Sequence, residues 1–464
     1  MGSSEYTFID AILEGLAPDG GLFVPQSVPQ ISSSEWKEWK TMKYTEICFA
    51  LLRKFISYSE IDDSDLKKMI HEAYKTFSIP EVTKLVQTDP HLYVMELFHG
   101  PTFAFKDVAL QLLGQIFDYA LKQKNTRMTI LGATSGDTGS AAIAGVKGRS
   151  NIDCVILFPL GKTSKIQETQ MTSNLDPNIH CLAVKNSDFD DCQSIVKACF
   201  NDPRFNEEMS LGAVNSINWA RILTQICYYV YTAAQLSEQI SFVVPTGNFG
   251  DILAGYYAKK MGLPIELVIA SNHNDILPRF FETGEYKITG PVQPSLSPSM
   301  DIAVSSNFER FLFDLFERNG ATIVEKFSEL TTKKTFNVSE SQLIEARKTF
   351  TAYSISENET MNTIKSVFND HGYLLCPHSA VGYAAAIKYR LAHPEKTIVT
   401  LATAHIGKFT EDVLTKLDDA KLRDAVKNSV PSELLKLANA KTRRFDIDNN
   451  VEAVKKYLRE NLAK

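Results

Sequence analysis

A chain of 464 residues is too long for one ordinary hydrophobic core, so two domains, or two plus an appendage, are expected. Its 44% apolar and 22% charged residues are ordinary for a globular protein, and a net charge of −6 without a basic block argues against a nucleic-acid platform. No apolar run reaches membrane-spanning length, the opening residues lack the basic and apolar regions of a signal peptide, and the seven cysteines show no CxxC or Cys/His ligand spacing; free thiols in a reducing, cytoplasmic setting are expected.

Residues 6–16 are amphipathic and stop at the turn sequence Pro18-Asp19-Gly20-Gly21. Residues 44–57 and 65–77 carry apolar side chains at helical spacing, and Pro80 closes a small helical unit over residues 1–80. Beyond it, runs at 92–97, 128–133, 154–158, 242–244, 267–270 and 397–402 read as strands. Helices are expected between them at 107–122, 218–236 and 252–261. Buried apolar strands alternating with helices predict an α/β fold built on a largely parallel sheet covered on both faces. In such a sheet ligands bind beyond the carboxyl ends of the strands. Residues 285–345, rich in Ser, Pro and Phe, are less regular and form either an insertion or part of a second lobe. The tail is charged and helical in pattern, which divides the chain into 1–80, a region of two α/β lobes at 81–410, and a helical extension at 411–464.

Four strand ends carry candidate chemistry. The segment His99-Gly100-Pro101-Thr102-Phe103-Ala104-Phe105-Lys106-Asp107 follows a strand and opens a helix. Apolar neighbours and a helix N-terminus both disfavour a protonated amine, so the pKa of Lys106 is expected to fall, as a Schiff-base lysine requires. Read alone, the segment better fits a solvated lysine beside an N-cap aspartate, since lysines near helix starts are common. The segment from Gly132 to Ser140, which includes Ser135, Gly136, Asp137 and Thr138, can form an anion nest of backbone N–H groups, or a generic Gly/Ser turn. It lacks the Gly-Lys-Ser/Thr ending of a P-loop and the spacing of a dinucleotide fingerprint. Gly247-Asn248-Phe249-Gly250-Asp251 suits a phosphate monoester without a metal, or a tight strand-to-helix turn. Thr403, at another strand end, can offer a neutral hydroxyl to a ring nitrogen, or can be an ordinary half-exposed threonine. One reactive lysine, two anion loops and a strand-end hydroxyl at the edge of one predicted sheet point together to pyridoxal phosphate.

The segments 98–107, 133–139, 247–251 and Asn215-Ser216-Ile217-Asn218-Trp219-Ala220-Arg221 resemble the threonine synthases, most closely the fungal and bacterial branch. The resemblance runs from about residue 7 to beyond 410. It implies the second fold type of pyridoxal-phosphate enzymes, with 1–80 as the family's N-terminal helical domain and 81–410 as the catalytic region. It implies that Lys106 carries the cofactor, and that Gly247, Asn248, Phe249, Gly250 and Asp251 hold its phosphate and surroundings. Thr403 would face the pyridine nitrogen. Ser135, Gly136, Asp137 and Thr138 would take the substrate carboxylate and the cofactor's phenolic edge. Lys162, Lys165, Asn218 and Arg221 are candidates for the substrate phosphate. The implied reaction converts O-phospho-L-homoserine and water to L-threonine and phosphate, in a monomer or homodimer. Two departures stand out. The family's Pro-Ala-Lys-Phe is replaced by Ile406-Gly407-Lys408-Phe409, which is expected to loosen the backbone beside Thr403, and an Arg-containing stretch before the first helix is nearly missing. The stretches Ser164-Lys165-Ile166-Gln167 and Tyr373 to Ser379 are similar to phospho-lyase relatives that release a 2-oxo acid and ammonia. A third reading is a catalytically dead relative that acts as a ligand sensor.

Overall fold

Every run read as a strand is a strand, but the strands belong to two sheets, not one. The computed structural model describes residues 5–134, 136–236 and 239–462. The larger sheet runs Lys84–Asp89, Leu92–Glu96, Thr397–Ala402, Ile240–Pro245, Ile265–Ser271 and Phe350–Ser354. It is parallel except at its antiparallel edge pair, Lys84–Asp89 with Leu92–Glu96. The second sheet, parallel throughout, runs Phe445–Ile447, Ile179–Val184, Ile152–Pro159, Met128–Ala133 and Leu211–Gly212. A strand's apolar pattern reports its burial and not its neighbour, which is why the local reading could not separate the two sheets.

Two helices bring the sheets' loops together. Lys106–Lys124 follows the first sheet and Asp137–Val146 follows the second. They meet backbone to backbone at a glycine pair. A Cβ on Gly114 would lie 2.2 Å from the carbonyl oxygen of Gly145, and one on Gly145 would lie 2.5 Å from that of Leu110. Each glycine stands eight residues past the first residue of its helix, about 12 Å at 1.5 Å per residue. The two N-termini therefore come out side by side, and Lys106 and Asp137 are their first residues.

The N-terminal helices Phe8–Glu14, Ser33–Trp39, Tyr44–Arg53 and Asp63–Tyr74 begin at side-chain or capping-box caps on Thr7, Ser32, Lys43 and Asp62. They lie against Trp219–Leu236 and Lys106–Lys124, where Tyr74 donates to the carbonyl of Val108 at 3.0 Å. Their apolar faces join the same continuous core as both sheets. The irregular region folds as an antiparallel strand pair, Glu285–Lys287 with Thr335–Asn337, with the helices Phe308–Leu315 and Gly320–Lys333 between them in the chain. It is anchored by Phe308 and Phe311 packed on Phe249 and Phe350. The tail departs from an all-helical pattern, because Phe445–Ile447 adds a strand to the second sheet; three residues are too short a run to read as one. All seven cysteines are buried free thiols. No helix among the described residues is long and apolar enough to cross a membrane.

Candidate active site

The loop before Lys106 is held by the residue after it. The Asp107 carboxylate accepts from the Thr102 backbone N–H and hydroxyl, both at 2.8 Å, and from Gln111 at 3.1 Å. A Cβ on Gly100 would collide with Asp107 at 2.4 Å, so glycine is required where the loop crosses that carboxylate. Burial pushes the Asp107 carboxyl up to about 6, although the Thr102 bonds oppose it. The loop also pairs with the end of the strand Thr397–Ala402. The Phe105 N–H donates to the Thr403 carbonyl at 2.7 Å, and the His405 N–H donates to Phe103 at 3.0 Å. Thr403 is thereby fixed beside Lys106, with its own N–H donated to the Ser379 hydroxyl at 3.1 Å. The expected loosening next to Thr403 is not found. Ile406–Lys408 is a tight 3-10 turn capped by His405, and a Cβ on Gly407 would lie 2.9 Å from Pro431. Gly407 allows close packing there and does not act as a hinge.

Lys106 is buried. Its Nζ lies 3.7 Å from Asp137 Oδ2, 3.4 Å from the Ser299 hydroxyl and 5.3 Å from the centre of the Phe105 ring. Burial lowers its pKa, Asp137 resists, and the charges of Arg221 and Lys408 lower it further. Burial alone would raise the Asp137 carboxyl, but Lys408 and Lys106 hold it well below the usual carboxylate range. Asp137 Oδ1 takes the ammonium of Lys408 at 2.8 Å and the Gln167 amide at 3.0 Å. His378 Nε2 accepts the Ser299 N–H at 3.1 Å, which leaves the proton of the neutral ring on Nδ1, where it has no partner among the described residues. Burial pushes His378 down to about 4, with Asp137 opposing and the two lysines assisting.

The first glycine loop is partly self-satisfied, since the Thr134 hydroxyl accepts from the N–H groups of Gly136 at 2.9 Å and Gly139 at 3.2 Å. Gly136, at φ 143°, leaves no room for a side chain, because a Cβ would meet Gln167 at 2.6 Å. In the second loop a Cβ on Gly247 would strike the Ser299 carbonyl at 2.7 Å. Asn248 is half-buried, and its carbonyl accepts from Asn307 Nδ2 at 2.9 Å. Phe249 holds a left-handed φ of 62°, fixed by the aromatic cluster beneath it. Gly250 begins the helix Gly250–Lys260. Asp251 faces the interior, where its Oδ1 accepts from the hydroxyls of Tyr228 at 2.5 Å and Tyr229 at 2.7 Å.

The structure gathers Lys106, Asp137, Thr403 and Arg221 at one centre, and leaves other expected residues elsewhere. Ser135 lies outside the described residues. Thr138 is half-buried in the first turn of its helix. Lys162 and Lys165 are exposed, just past the carboxyl end of Ile152–Pro159. Asn218, expected at the substrate phosphate, instead donates to the carbonyl of Ile12 at 2.8 Å and accepts the Ala220 N–H at 3.1 Å, so its amide ties the first helix to the turn before Trp219. Arg221 is buried and donates to the Val214 carbonyl at 2.9 Å, but its Nε has no hydrogen-bond partner and it forms no ion pair among the described residues. The residues sequence reasoning missed are Lys408, Gln167, Ser299 and His378. His378 carried one local signal, a place just after a proline at a helix start.

A buried amine of lowered pKa, an orphaned guanidinium and a glycine-lined loop fit a cofactor with an aldehyde and a phosphate. Residues 71–404 match the family described as "Pyridoxal-phosphate dependent enzyme", and the chain is a pyridoxal-phosphate enzyme of fold type II. Residues 1–74 match "Threonine synthase N terminus" and 379–458 match "Threonine synthase, C-terminal". A threonine synthase of Saccharomyces cerevisiae is 44% identical, covering 99% of this chain and 96% of that protein. The crystal structure of threonine synthase from yeast superposes with a TM-score of 0.92 at 43% identity, over 99% of this chain and 97% of that one. The pyridoxal-phosphate-bound threonine synthase of Brucella melitensis gives 0.90 at 44% identity, over 99% and 98%. The chain belongs to the threonine synthase family.

Proposed function

We propose that this protein converts O-phospho-L-homoserine and water to L-threonine and phosphate, with Lys106 as the catalytic lysine. The observation that carries this reading is the pairing of a buried lysine of lowered pKa with a buried guanidinium, Arg221, that lacks a carboxylate. An anionic ligand supplies what Arg221 lacks. Bound at Lys106, pyridoxal phosphate supplies an electron sink that permits proton loss at Cα and Cβ of the substrate and departure of its γ-phosphate.

The residues present divide the remaining work. With cofactor and substrate in place, the Lys106 Nζ would be positioned to move protons at Cα and Cβ. The loop glycines Gly247 and Gly250, with Asn248, cradle the cofactor phosphate with backbone N–H groups. Phe249 and Asp251 hold that loop from the core side. The backbone N–H groups of Asp137 and Thr138 at the helix start would receive the carboxylate end of the substrate, and Arg221 would receive the substrate phosphate. Thr403 sets a neutral hydroxyl, not a carboxylate, against the ring nitrogen; a neutral partner does not enforce ring protonation and tempers charge build-up at Cα. Residues 1–80 act as the N-terminal wall, 81–410 carry the catalysis, and 411–464 close the second sheet.

The test is a product assay on the cofactor-loaded protein with O-phosphohomoserine. Threonine and phosphate are expected in equal amounts. A 2-oxo acid with ammonia would assign the chain to the phospho-lyase reading, and absence of phosphate release would overturn the substrate.

A further inference from the structure

Two buried lysines converge on one carboxylate. Lys408 is 1% exposed and Lys106 8% exposed, and both reach Asp137. Their contacts are unequal. Lys408 Nζ makes two short bonds, to Asp137 Oδ1 at 2.8 Å and to the Thr102 carbonyl at 2.7 Å. Lys106 Nζ has two long ones, 3.7 Å to Asp137 Oδ2 and 3.4 Å to Ser299. A buried ammonium keeps its proton when short charge-assisted bonds replace its hydration, and gives it up when they do not. The charged groups acting on Lys106 are Asp137, Arg221 and Lys408, and His378 also faces Asp137. The groups acting on Lys106 comprise two further cations for one anion, that anion is held by Lys408, and the Asp107 carboxyl, braced by Thr102, also faces Lys408.

We propose that Lys408 is a positioning residue that makes Lys106 the reactive amine, by taking Asp137 as its own close counter-ion and leaving Lys106 only the longer contact to it. This rests on the reading that Lys106 carries the cofactor. The fold commits Lys408 to the task from both sides. The turn Ile406–Lys408 is pinned by the cap from His405 and by the close approach of Gly407 to Pro431. Its bond to Thr102 fastens the same loop that Asp107 braces just before Lys106. The contact made by Lys408 thus orients Asp137 Oδ1 away from Lys106, and its charge adds to that of Arg221 in disfavouring a second ammonium.

The experiment follows the rate at which resolved protein captures pyridoxal phosphate as a function of pH, read by the visible absorbance of the bound cofactor. Borohydride reduction and peptide mapping of the native holoprotein come first. A label on a residue other than Lys106 would sink the underlying reading and this inference with it, whereas the variants below bear on this inference alone. With Lys106 labelled, Lys408→Met is expected to let Asp137 pair with Lys106 and move the midpoint of capture up by about one pH unit, about a ten-fold slower capture below it. Lys408→Arg is expected to restore the native midpoint. Lys408→Gln, which keeps a donor for Thr102, carries the same expectation as Lys408→Met if the methionine variant does not fold. An unchanged midpoint in a folded Lys408→Met or Lys408→Gln protein overturns the proposal. So does a reducible label on Lys408 in Lys106→Ala, because the proposal requires Lys408 to stay protonated.

Discussion

Two glycine-bearing loops leave strand ends of the two sheets, and each places an aspartate in the first turn of a helix, at Asp137 and Asp251. Both carboxylates are buried, yet their titrations diverge. Asp137 faces two lysines and stays ionised, while Asp251 faces two phenols and is pushed up to about 6 by burial that Tyr228 and Tyr229 only partly offset. Motif and burial are shared; the partners set the charge. The divergence reverses the pH linkage. Asp137, with a depressed folded pKa, contributes stability above its unfolded value of 3.8 that is lost as pH falls. Asp251, with a raised one, contributes stability below 3.8 that is lost as pH rises through about 6, and Asp107 behaves likewise.

The comparison breaks most severely at the charged loop. Asp137→Ala strands Lys408 and Lys106 as buried cations without a carboxylate, and is expected to destabilise the fold by about 3–5 kcal/mol in urea titration, with loss of cofactor retention. At the neutral loop, Asp251→Ala removes the acceptor of two buried hydroxyls, and a smaller loss of about 2–3 kcal/mol is expected by the same titration. The smallest effect sharpens the contrast. Asp251→Asn keeps an acceptor and is expected to stay within about 1 kcal/mol of the parent at pH 4. A raise of about two units costs the parent about 3 kcal/mol as pH climbs from 4 through 6. The asparagine protein, in which burial still raises the carboxyls of Asp107, Glu309 and Asp412, is expected to lose less stability than the parent over that interval. Urea midpoints at pH 4, 5, 6 and 7 measure it, and equal slopes would show that Asp251 does not titrate there.

The sequence announced what was local. Lys106 and both glycine loops were legible because strand, loop and helix start lie within a few residues of one another. Lys408 was visible as a letter but not as a partner, since its role depends on a turn after Thr397–Ala402 folding back onto a helix of the other sheet. Ser299 and His378 reach the centre from a region that read as irregular and from a separate helix start. Asn218 shows the opposite error. A polar residue in a family-like segment suggested a ligand, whereas its amide is saturated by backbone at Ile12 and Ala220. Lys84–Asp89 escaped notice because a half-exposed edge strand carries no clear apolar alternation.

The short strands at the margins of the second sheet have a consequence for solubility. Its central strands, Ile179–Val184 and Ile152–Pro159, are wholly buried, while its margins are the three residues Phe445–Ile447 and the two residues Leu211–Gly212. Brief margins offer little ladder for another chain to extend. The segment that supplies one margin lies far along the chain from Ile179–Val184, so that strand stays open to pairing with strangers until the later segment is made. The three residues Phe445–Ile447 thus guard the newly made chain from sticking to its neighbours.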